Sequence, residues 1–469
     1  MIREGFQPDF PPPVANEVNS FHAATSLDGP ARDLRDLLWS SIDNTDSRDL
    51  DQIEWAEQTP EGHIRVRVGV ADVDAVVTAA SATDAHARAN ATSVYPGGPV
   101  FPMLPERLST DLTSLGPDAD RRAIVMEYVV AADGRVVESD VFHALVRNKA
   151  QLNYDQVGSW LANAAPASGA PFKVAGLDRQ LLLQGEASRR LRALRREHGA
   201  LDLQRPESSP IVVNNAVQQF VFTRNNPARD LIESFMVAAN VAMAEHLRAQ
   251  KRLCLRRIVR VPKRWDRIQA LAAALGVKLP DAPDAGALNN FLAQRRQTDP
   301  DHYPDLALAV LKSLGPGIYE VEHPGAEHEG HFALAEDNYT HSTAPNRRYA
   351  DLAVQRLLKA SLAGAPAPLS EEALSDLAAH CTEREAAARH VERFMDKVAA
   401  AILLAPQVGR LFDAIVTGVA DKGTFARLLT VPADGRLMRG ERGVDIGDRI
   451  RVRLAGVNPD KGFIDLERA

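Results

Sequence analysis

The sequence predicts an α+β chain whose C-terminal end is a separate all-β unit. Three observations carry this expectation. Residues His63–Val70 (HIRVRVGV) alternate apolar and polar, as a half-buried strand does. Residues Leu177–His198, Ala228–Gln250 and Glu371–Leu404 keep a helical period over long stretches. Beyond Pro406 that period stops, and short alternating runs separated by glycines begin.

Taken in order, Met1 to Pro30 is short and proline-rich. Pro11, Pro12 and Pro13 lead into one helix over Val14–Phe21, because proline is tolerated in a first helical turn. Ala31–Ser40 reads as a helix or as a lead-in to a strand. Ala123–Val130 and Arg135–Leu145 are strand-like and flank Asp133-Gly134, a hairpin signal. Further helices are expected at Asp155–Asn163, Arg264–Leu275, Asp305–Leu314 and Ala350–Leu362. Ala164–Pro171, Leu279–Gly286 and Gly364–Leu369 are rich in Pro, Ala and Gly and read as loops. After Pro406 come FDAIVTGV, GTFARLL, DRIRVRL and GFIDL, punctuated by Gly418, Gly423, Gly435, Gly443 and Gly447. Five short strands in so small a unit suggest a barrel of the OB type. The expected division is a short extension over 1–30, a main domain over 31–405 and the barrel over 406–469.

Composition bounds the function. The 469 residues are 45% hydrophobic and 25% charged, ordinary for a globular chain of several domains. With 55 basic and 62 acidic side chains the net charge is −7, which excludes a polybasic protein that holds nucleic acid by bulk charge. The stretch from Pro406 onward carries 11 Lys and Arg against 9 Asp and Glu, a local excess that suits a nucleic-acid-facing surface and equally suits ordinary solvated charge. Two cysteines, Cys254 and Cys381, exclude a disulfide scaffold and suit a reducing compartment. No apolar run approaches the ~18–20 residues of a membrane span. Met1–Pro13 has no apolar signal core. A cytoplasmic protein without a membrane partner is expected, and nothing suggests an interface, so a monomer is expected.

Two segments point to chemistry. In Ser41-Ile42-Asp43-Asn44-Thr45-Asp46-Ser47-Arg48-Asp49-Leu50-Asp51-Gln52-Ile53, four carboxylates crowd together. Asp49 and Asp51 are two apart, so an extended backbone points them to one side. Asp43 can close on them if Asn44–Ser47 turns. Such a cluster repels itself until a divalent cation neutralises it, and Mg²⁺ favours oxygen ligands completed by water and substrate phosphate. Two ions ~4 Å apart support in-line attack on a phosphodiester. A solvated Asp/Asn/Ser-rich turn is the bland alternative. An EF-hand loop fits poorly, because the glycine and glutamate spacings are absent. In Tyr339-Thr340-His341-Ser342-Thr343-Ala344-Pro345-Asn346-Arg347-Arg348-Tyr349-Ala350-Asp351-Leu352, an arginine pair follows a proline turn into a helix. A guanidinium forks onto phosphate oxygens, although surface or ion-paired arginines would give the same pattern.

In this order the two segments resemble the ribonuclease II / ribonuclease R family. Its motif of the form TIDxxxxxDxDDA is matched by SIDNTDSRDLDQI, and YxHFTSPIRRYxDL by YTHSTAPNRRYADL. SVYPGGPVFPMLPERLSTDLTSL (Ser93–Leu115) is similar to VYLPxxxIPMLPxxLSxxLCSL, and ARDLIESFMVAANV (Ala228–Val241) to a helix ending in MxxAN. VGRLFDAIVTGVADKGTFARL resembles an S1 RNA-binding domain. The resemblance runs from about Ala31 to the C-terminus.

It implies an α+β fold: an RNB catalytic domain, with a mixed sheet surrounded by helices, followed by an S1 barrel. It also implies 3′→5′ hydrolysis of single-stranded RNA from its 3′ end to nucleoside 5′-monophosphates, with two Mg²⁺ ions for which Mn²⁺ can substitute. Asp43, Asp49 and Asp51 match three of the family's four metal-binding aspartates. The fourth position is Gln52, which offers a carbonyl oxygen but no charge. Arg347 matches the catalytic arginine and Arg348 its neighbour, expected on RNA. Tyr95 matches a base-stacking aromatic. Its usual aromatic partner corresponds to Leu203. Tyr154 and Glu233 match positions that read the ribose 2′-OH. Asp46 matches no ligand and reads as a turn residue. Relatives carry two cold-shock domains before the catalytic domain, and the first thirty residues cannot hold them, so a more open channel entrance is expected. His323, His328, His331 and His341 match no tight zinc spacing. A non-catalytic RNA-binding protein on the same scaffold, supported by Gln52, is the alternative; a DNA phosphodiesterase is another.

Overall fold

The computed structural model describes residues 1–23, 31–163, 172–201, 207–213, 216–223, 225–300, 302–323, 325, 329–420 and 423–469. The main sheet is built from β1 (Arg32–Asp33), β2 (Trp39–Asp43), β3 (Gln52–Gln58), β4 (Ile64–Ala71), β5 (Asp120–Val130) and β6 (Val136–Asn153). β4 buries Ile64, Val66, Val68 and Val70, as its alternation requires. The β5–β6 hairpin turns at Asp133-Gly134. Gly134 has φ 88°, and a side chain there would meet the Arg190 carbonyl at 2.2 Å, so only glycine fits. No helix forms in Ala31–Ser40. That segment becomes β1 and the start of β2, because Trp39 is drawn fully into the core and its indole N–H is satisfied by the Leu34 carbonyl at 2.8 Å.

The strand order is β1-β6-β2-β3-β4-β5, and β5 pairs back onto β6, so the sheet curls until its ends meet. β6 is long enough to serve two neighbours. Its first part runs antiparallel to β5, and its last part runs parallel to β2, with Asp43 opposite Asn153. This parallel pairing places the ends of β2 and β6 side by side. Asn153 then caps α3 (Tyr154–Ala162) by accepting from the Gln156 N–H at 2.8 Å, which sets Tyr154 beside Asp43.

Helices cover the sheet. α4 (Leu177–Glu197) is tied on by Gln180, whose side-chain amide bonds both the N–H and the carbonyl of Ala56 at 2.9 and 2.7 Å. α5 (Pro227–Ala249) buries Leu231, Phe235, Ala239 and Met243, with Phe235 edge-on to Tyr128. Removing a ring such as Phe235 costs about 3–5 kcal/mol. The N-terminal helix α1 (Pro12–Ser20) adds Val14 and Val18 to this same core. Its Glu17 carboxylate accepts from the N–H groups of Ala82 and Thr83 at the start of α2 (Ala82–Asn90), both at 2.8 Å.

Before α5 in the chain, β7 (Glu207–Val213) and β8 (Ala216–Thr223) form a hairpin, and after it β9 (Cys254–Ile258) pairs with β10 (Ile318–Glu322). Between β9 and β10, α6 (Trp265–Ala274), α7 (Ala285–Thr298) and α8 (Tyr303–Ser313) share their own core of Trp265, Ile268, Leu288, Phe291 and Val310. α9 (Tyr349–Leu362) is buried along most of its length, and α10 (Glu371–Leu404) reaches the C-terminal unit.

That unit is a closed five-stranded barrel in the order β11 (Leu411–Ala420), β12 (Gly423–Leu428), β13 (Asp434–Arg439), β15 (Phe463–Arg468), β14 (Arg449–Asn458). The α+β expectation with an OB-like barrel therefore holds. Ala400, Ala401 and Leu404 at the end of α10 join the barrel core of Val416, Leu428, Leu437, Val452 and Leu466. Among the described residues no helix is long and apolar enough to cross a membrane. Cys254 and Cys381 are buried, and burial pushes both thiols up to about 12, so they are inert.

Candidate active site

The site forms where the end of β2 and the start of β3 meet the loop before α9. Asp43 closes its own turn, accepting from the Asn44 N–H at 2.7 Å and the Ser47 hydroxyl at 3.0 Å. Asp46 lies exposed in that turn. The chain then runs to Asp51 pinned by the Ser114–Leu115 segment. The Ser114 hydroxyl bonds the Arg48 carbonyl at 2.8 Å and the Leu50 N–H at 3.1 Å, and the Leu115 N–H bonds the Leu50 carbonyl at 2.9 Å. The LSTDLTSL motif thus acts as a clamp on the acidic segment.

Asp51 is the most buried of the four acids in this segment, only 2% exposed. Its Oδ1 accepts from the Asn346 N–H at 3.0 Å, and its Oδ2 lies 3.4 Å from Arg347 Nε. Burial pushes the Asp51 carboxyl up to about 7, against the pull of Arg347 and the Asn346 N–H, and Asp49 adds to the rise. Burial raises the Asp49 carboxyl too, with Arg347 opposing and Asp43 reinforcing it. The acids therefore stand within one another's field, with one guanidinium among them. Gln52 opens β3 opposite Val70.

Arg347 is held by its backbone: its carbonyl accepts from the Ser93 N–H at 3.0 Å. Its side chain is left 46% exposed, open to a ligand. Arg348 does not join it. Its guanidinium turns inward to the buried Asp351 carboxylate at 2.7 Å, so the expected RNA contact is replaced by an internal ion pair. The physical reason is local: Asp351, at the third position of α9, also accepts from the Ala344 N–H at 2.8 Å and fixes the loop.

Tyr95 is 43% exposed, and Arg347, Asp49 and Asp51 all act on its phenol; its N–H donates to Glu392 of α10 at 3.0 Å. Burial raises the Tyr154 phenol, and Asp43 raises it further. Glu233 lies on the exposed face of α5, one turn beyond Arg229. Leu203 lies outside the described residues, as does His328.

Sequence reasoning missed several groups. The Arg229 guanidinium lies 4.3 Å from the Tyr154 ring centroid and donates to Asn44 at 3.1 Å, bridging α5 to the acidic turn. Its helical spacing from Glu233 was the available signal. Asn240 of α5 accepts from both the N–H and the hydroxyl of Ser342 at 2.9 Å. Behind the loop, the Tyr319 hydroxyl donates to Glu385 at 2.7 Å, and Arg257 pairs with Glu385 at 2.9 Å. The Tyr319 proton being spent on Glu385, the neighbouring His341 Nδ1 at 2.8 Å must be the donor to that oxygen. Burial keeps His341 far below its ordinary range, hence neutral.

Sequence and structure comparisons fit this geometry. Residues 31–364 match the model of the RNB domain, and residues 410–469 match that of the RNase II-type exonuclease C-terminal S1 domain. The chain belongs to the RNB family. It is 31% identical to ribonuclease R 1 of Lactococcus lactis over 408 residues, 84% of this chain and 48% of that one. It is 30% identical to ribonuclease R of Escherichia coli over 473 residues, 92% of this chain and 57% of that one. The RNB chain thus spans about half the length of these relatives. It superposes on Mycoplasma genitalium RNase R, solved with ribose-methylated single-stranded RNA, with TM-score 0.90 and 25% identity, over 100% of this chain and 77% of that one.

The side chains of the RNB site suit a divalent cation chemically. Asp43, Asp49, Asp51 and the Gln52 carbonyl offer oxygen, the donor a hard cation takes, and burial raises Asp49 and Asp51 despite the pull of Arg347. Among the described residues no three His, Cys, Asp or Glu side chains are already drawn together around a metal-sized point.

Proposed function

We propose that this RNB chain is a 3′→5′ exoribonuclease that hydrolyses single-stranded RNA to nucleoside 5′-monophosphates. The observation that carries this reading is the meeting of Asp51 and Arg347. Widely separated in sequence, they lie 3.4 Å apart, with Arg347 open to solvent on the other side. Asp43, Asp49 and Asp51, with the Gln52 carbonyl, hold the divalent cations. When bound, Mg²⁺, or Mn²⁺ in its place, supplies the positive charge that activates water and neutralises a phosphodiester in a two-ion arrangement.

The chain's own groups do the positioning. Arg347 spans the phosphate oxygens with its planar fork and offsets the charge they gather as water attacks phosphorus and the bond to the 3′ oxygen breaks. The released nucleotide keeps the 5′ phosphate, and the shortened RNA keeps a 3′ hydroxyl. The half-exposed Tyr95 ring stacks on a base near the 3′ end. Tyr154, steadied by Arg229, and Glu233 contact the ribose and favour RNA over DNA through the 2′-OH.

Incubating 5′-labelled RNA and DNA oligomers with Mg²⁺, then with EDTA, tests the reading. A shrinking RNA ladder that EDTA abolishes is the expected result. Unchanged RNA would point to a binding protein on this scaffold, and loss of DNA to a different phosphodiesterase.

A further inference from the structure

Residues 1–30 lie before the stretch that matches the RNB model, yet the first few of them pack against the site. Ile2–Glu4 makes one tight helical turn closed by Gly5, whose φ of 78° lies in the left-handed region. The turn delivers Phe6 into a small core of its own. Phe6 is 3% exposed and packs with Val94, Ala388 and Val391, with Met1 and Phe101 at the edge. Arg384 of α10 locks it there. Its guanidinium donates to the Glu4 carbonyl at 2.9 Å and lies 5.1 Å from the Phe6 ring centroid. Next to it, the Gln7 N–H donates to Asn90 Oδ1, and Asn90 Nδ2 donates to the Gln7 carbonyl, both at 2.9 Å.

Asn90 ends α2, and the chain beyond it is held from two quarters. The arginine loop takes its backbone: the Ala91 carbonyl accepts from the Tyr349 N–H at 2.8 Å, and the Ser93 N–H donates to the Arg347 carbonyl at 3.0 Å. Phe6 and α10 take its Val94 side chain. Val94 and Phe101 exchange backbone hydrogen bonds at 2.9 and 3.0 Å, which keeps this stretch extended. Successive side chains of an extended stretch leave opposite faces. Val94, 1% exposed, points into the Phe6 core, so Tyr95, 43% exposed, points out of it. We propose that Phe6 is a positioning residue for the Tyr95 ring: by filling the space behind Val94 it fixes the face from which Tyr95 meets the 3′-terminal base. The inference rests on the base-stacking reading of Tyr95 above. It adds the Met1–Gln7 segment to the site as its back wall.

RNA carrying 2-aminopurine as its 3′-terminal base tests this with the full chain in EDTA, where the strand stays whole. Stacking on an aromatic quenches the fluorescence of that base, and titration gives the affinity. Tyr95→Ala is expected to lose the quenching. Phe6→Ala is expected to lose most of it and to weaken binding about 5–10-fold, the low end of what one stacked base contributes. In the Tyr95→Ala background Phe6→Ala should then change nothing further, a non-additivity that a merely structural role would not give. Phe6→Leu, which refills the space with an apolar side chain, should restore the quenching. A folded Phe6→Ala protein that quenches and binds like the wild type overturns the inference, as does a loss of binding equally large with and without Tyr95; both leave the proposed function standing. A Tyr95→Ala protein that quenches like the wild type removes the role of Tyr95 and this inference with it, and a wild type that binds no RNA removes the inference and the proposed function together. Thermal unfolding checks the fold of Phe6→Ala. If that variant does not fold, Arg384→Ala, which frees the Glu4 carbonyl and the Phe6 ring without emptying the core, carries the same expectation and the same overturning result.

Discussion

Between Ser342 and Arg348 the arginine loop is tied at almost every residue, whereas in the acidic segment Asp43 bonds only within its own turn and Asp51, at the far end, is the acid tied to the arginine loop. Asn240 holds Ser342, Asp351 holds Ala344 and Arg348, and Ser93 holds the Arg347 backbone. On the other side, Asp43 bonds back to Asn44 and Ser47, and beside burial Asp43 adds to the rise of Asp49 and Asp49 to that of Asp51. The protein itself places the guanidinium; on the proposed divalent-cation reading, a cation would offset the charge of the buried carboxylates, so that one half of the site is preorganised by the fold and the other would be completed by its ligand.

The sharpest way to break this contrast is at Arg347. Arg347→Ala should slow single-turnover RNA cleavage by about 10²–10³-fold while leaving the melting temperature nearly unchanged, since the loop is held without its side chain. Arg347→Lys should not rescue, because lysine lacks the planar fork. A large fall in melting temperature would show that the loop depends on the guanidinium after all.

Asp51 tests the other half. Its carboxyl sits at about 7 in the folded chain, above its ordinary 3.8, so unfolding releases a proton between those values. The contribution of Asp51 to the stability of the metal-free protein should therefore be fully present below about pH 4 and be lost as pH rises to about 7, by an amount on the order of a few kcal/mol, read as the difference between the wild type and Asp51→Asn. Denaturant unfolding across that range checks it. Asp51→Asn should flatten the decline, and Mg²⁺ should oppose it. Wild type and Asp51→Asn with the same pH dependence through this window would contradict the raised Asp51 carboxyl.

Smaller effects sharpen the picture. Asn240→Ala strips two donors of Ser342 of a buried acceptor and should cost about 1–3 kcal/mol of unfolding free energy, with a smaller loss of rate than Arg347→Ala. Ser370 caps α10 by accepting from the Ala373 N–H at 3.2 Å, far along the chain from the site's acids. Ser370→Ala should cost about 1 kcal/mol and leave cleavage kinetics unchanged.

What could be read without coordinates follows a physical line. β4, the β5–β6 hairpin and α3, α4, α5 and α10 have one buried face, and their periodicity shows it. β3 (QIEWAEQ) escaped, because Glu54 interrupts the pattern on the helix-covered face and Trp55 is buried on the other. α7 was partly read as loop, since Ala285-Gly286 looks like a breaker until Asp284 is seen capping it at Ala287. Of the five barrel strands expected, four have runs that locate them, while DGRLMR, the strand β13, is too polar to announce its place. In the site, the acids and Arg347 stood out as motif positions. Arg229, Asn240 and the Tyr319–Glu385 pair did not, because they act across contacts between distant elements, which no local pattern encodes. Arg348 misled for the opposite reason: adjacency to Arg347 says nothing about which way a side chain leaves the backbone.

α10 extends for 34 residues, a rod about 50 Å long. Along it, Thr382 and Glu385 brace Tyr319, Glu392 steadies Tyr95, and the terminal Ala400, Ala401 and Leu404 are shared with the barrel interior. Force applied to the barrel by a tugging strand would be delivered along this beam to the segment of Tyr95 and, further on, to Tyr319. The two domains should consequently denature together, in one transition.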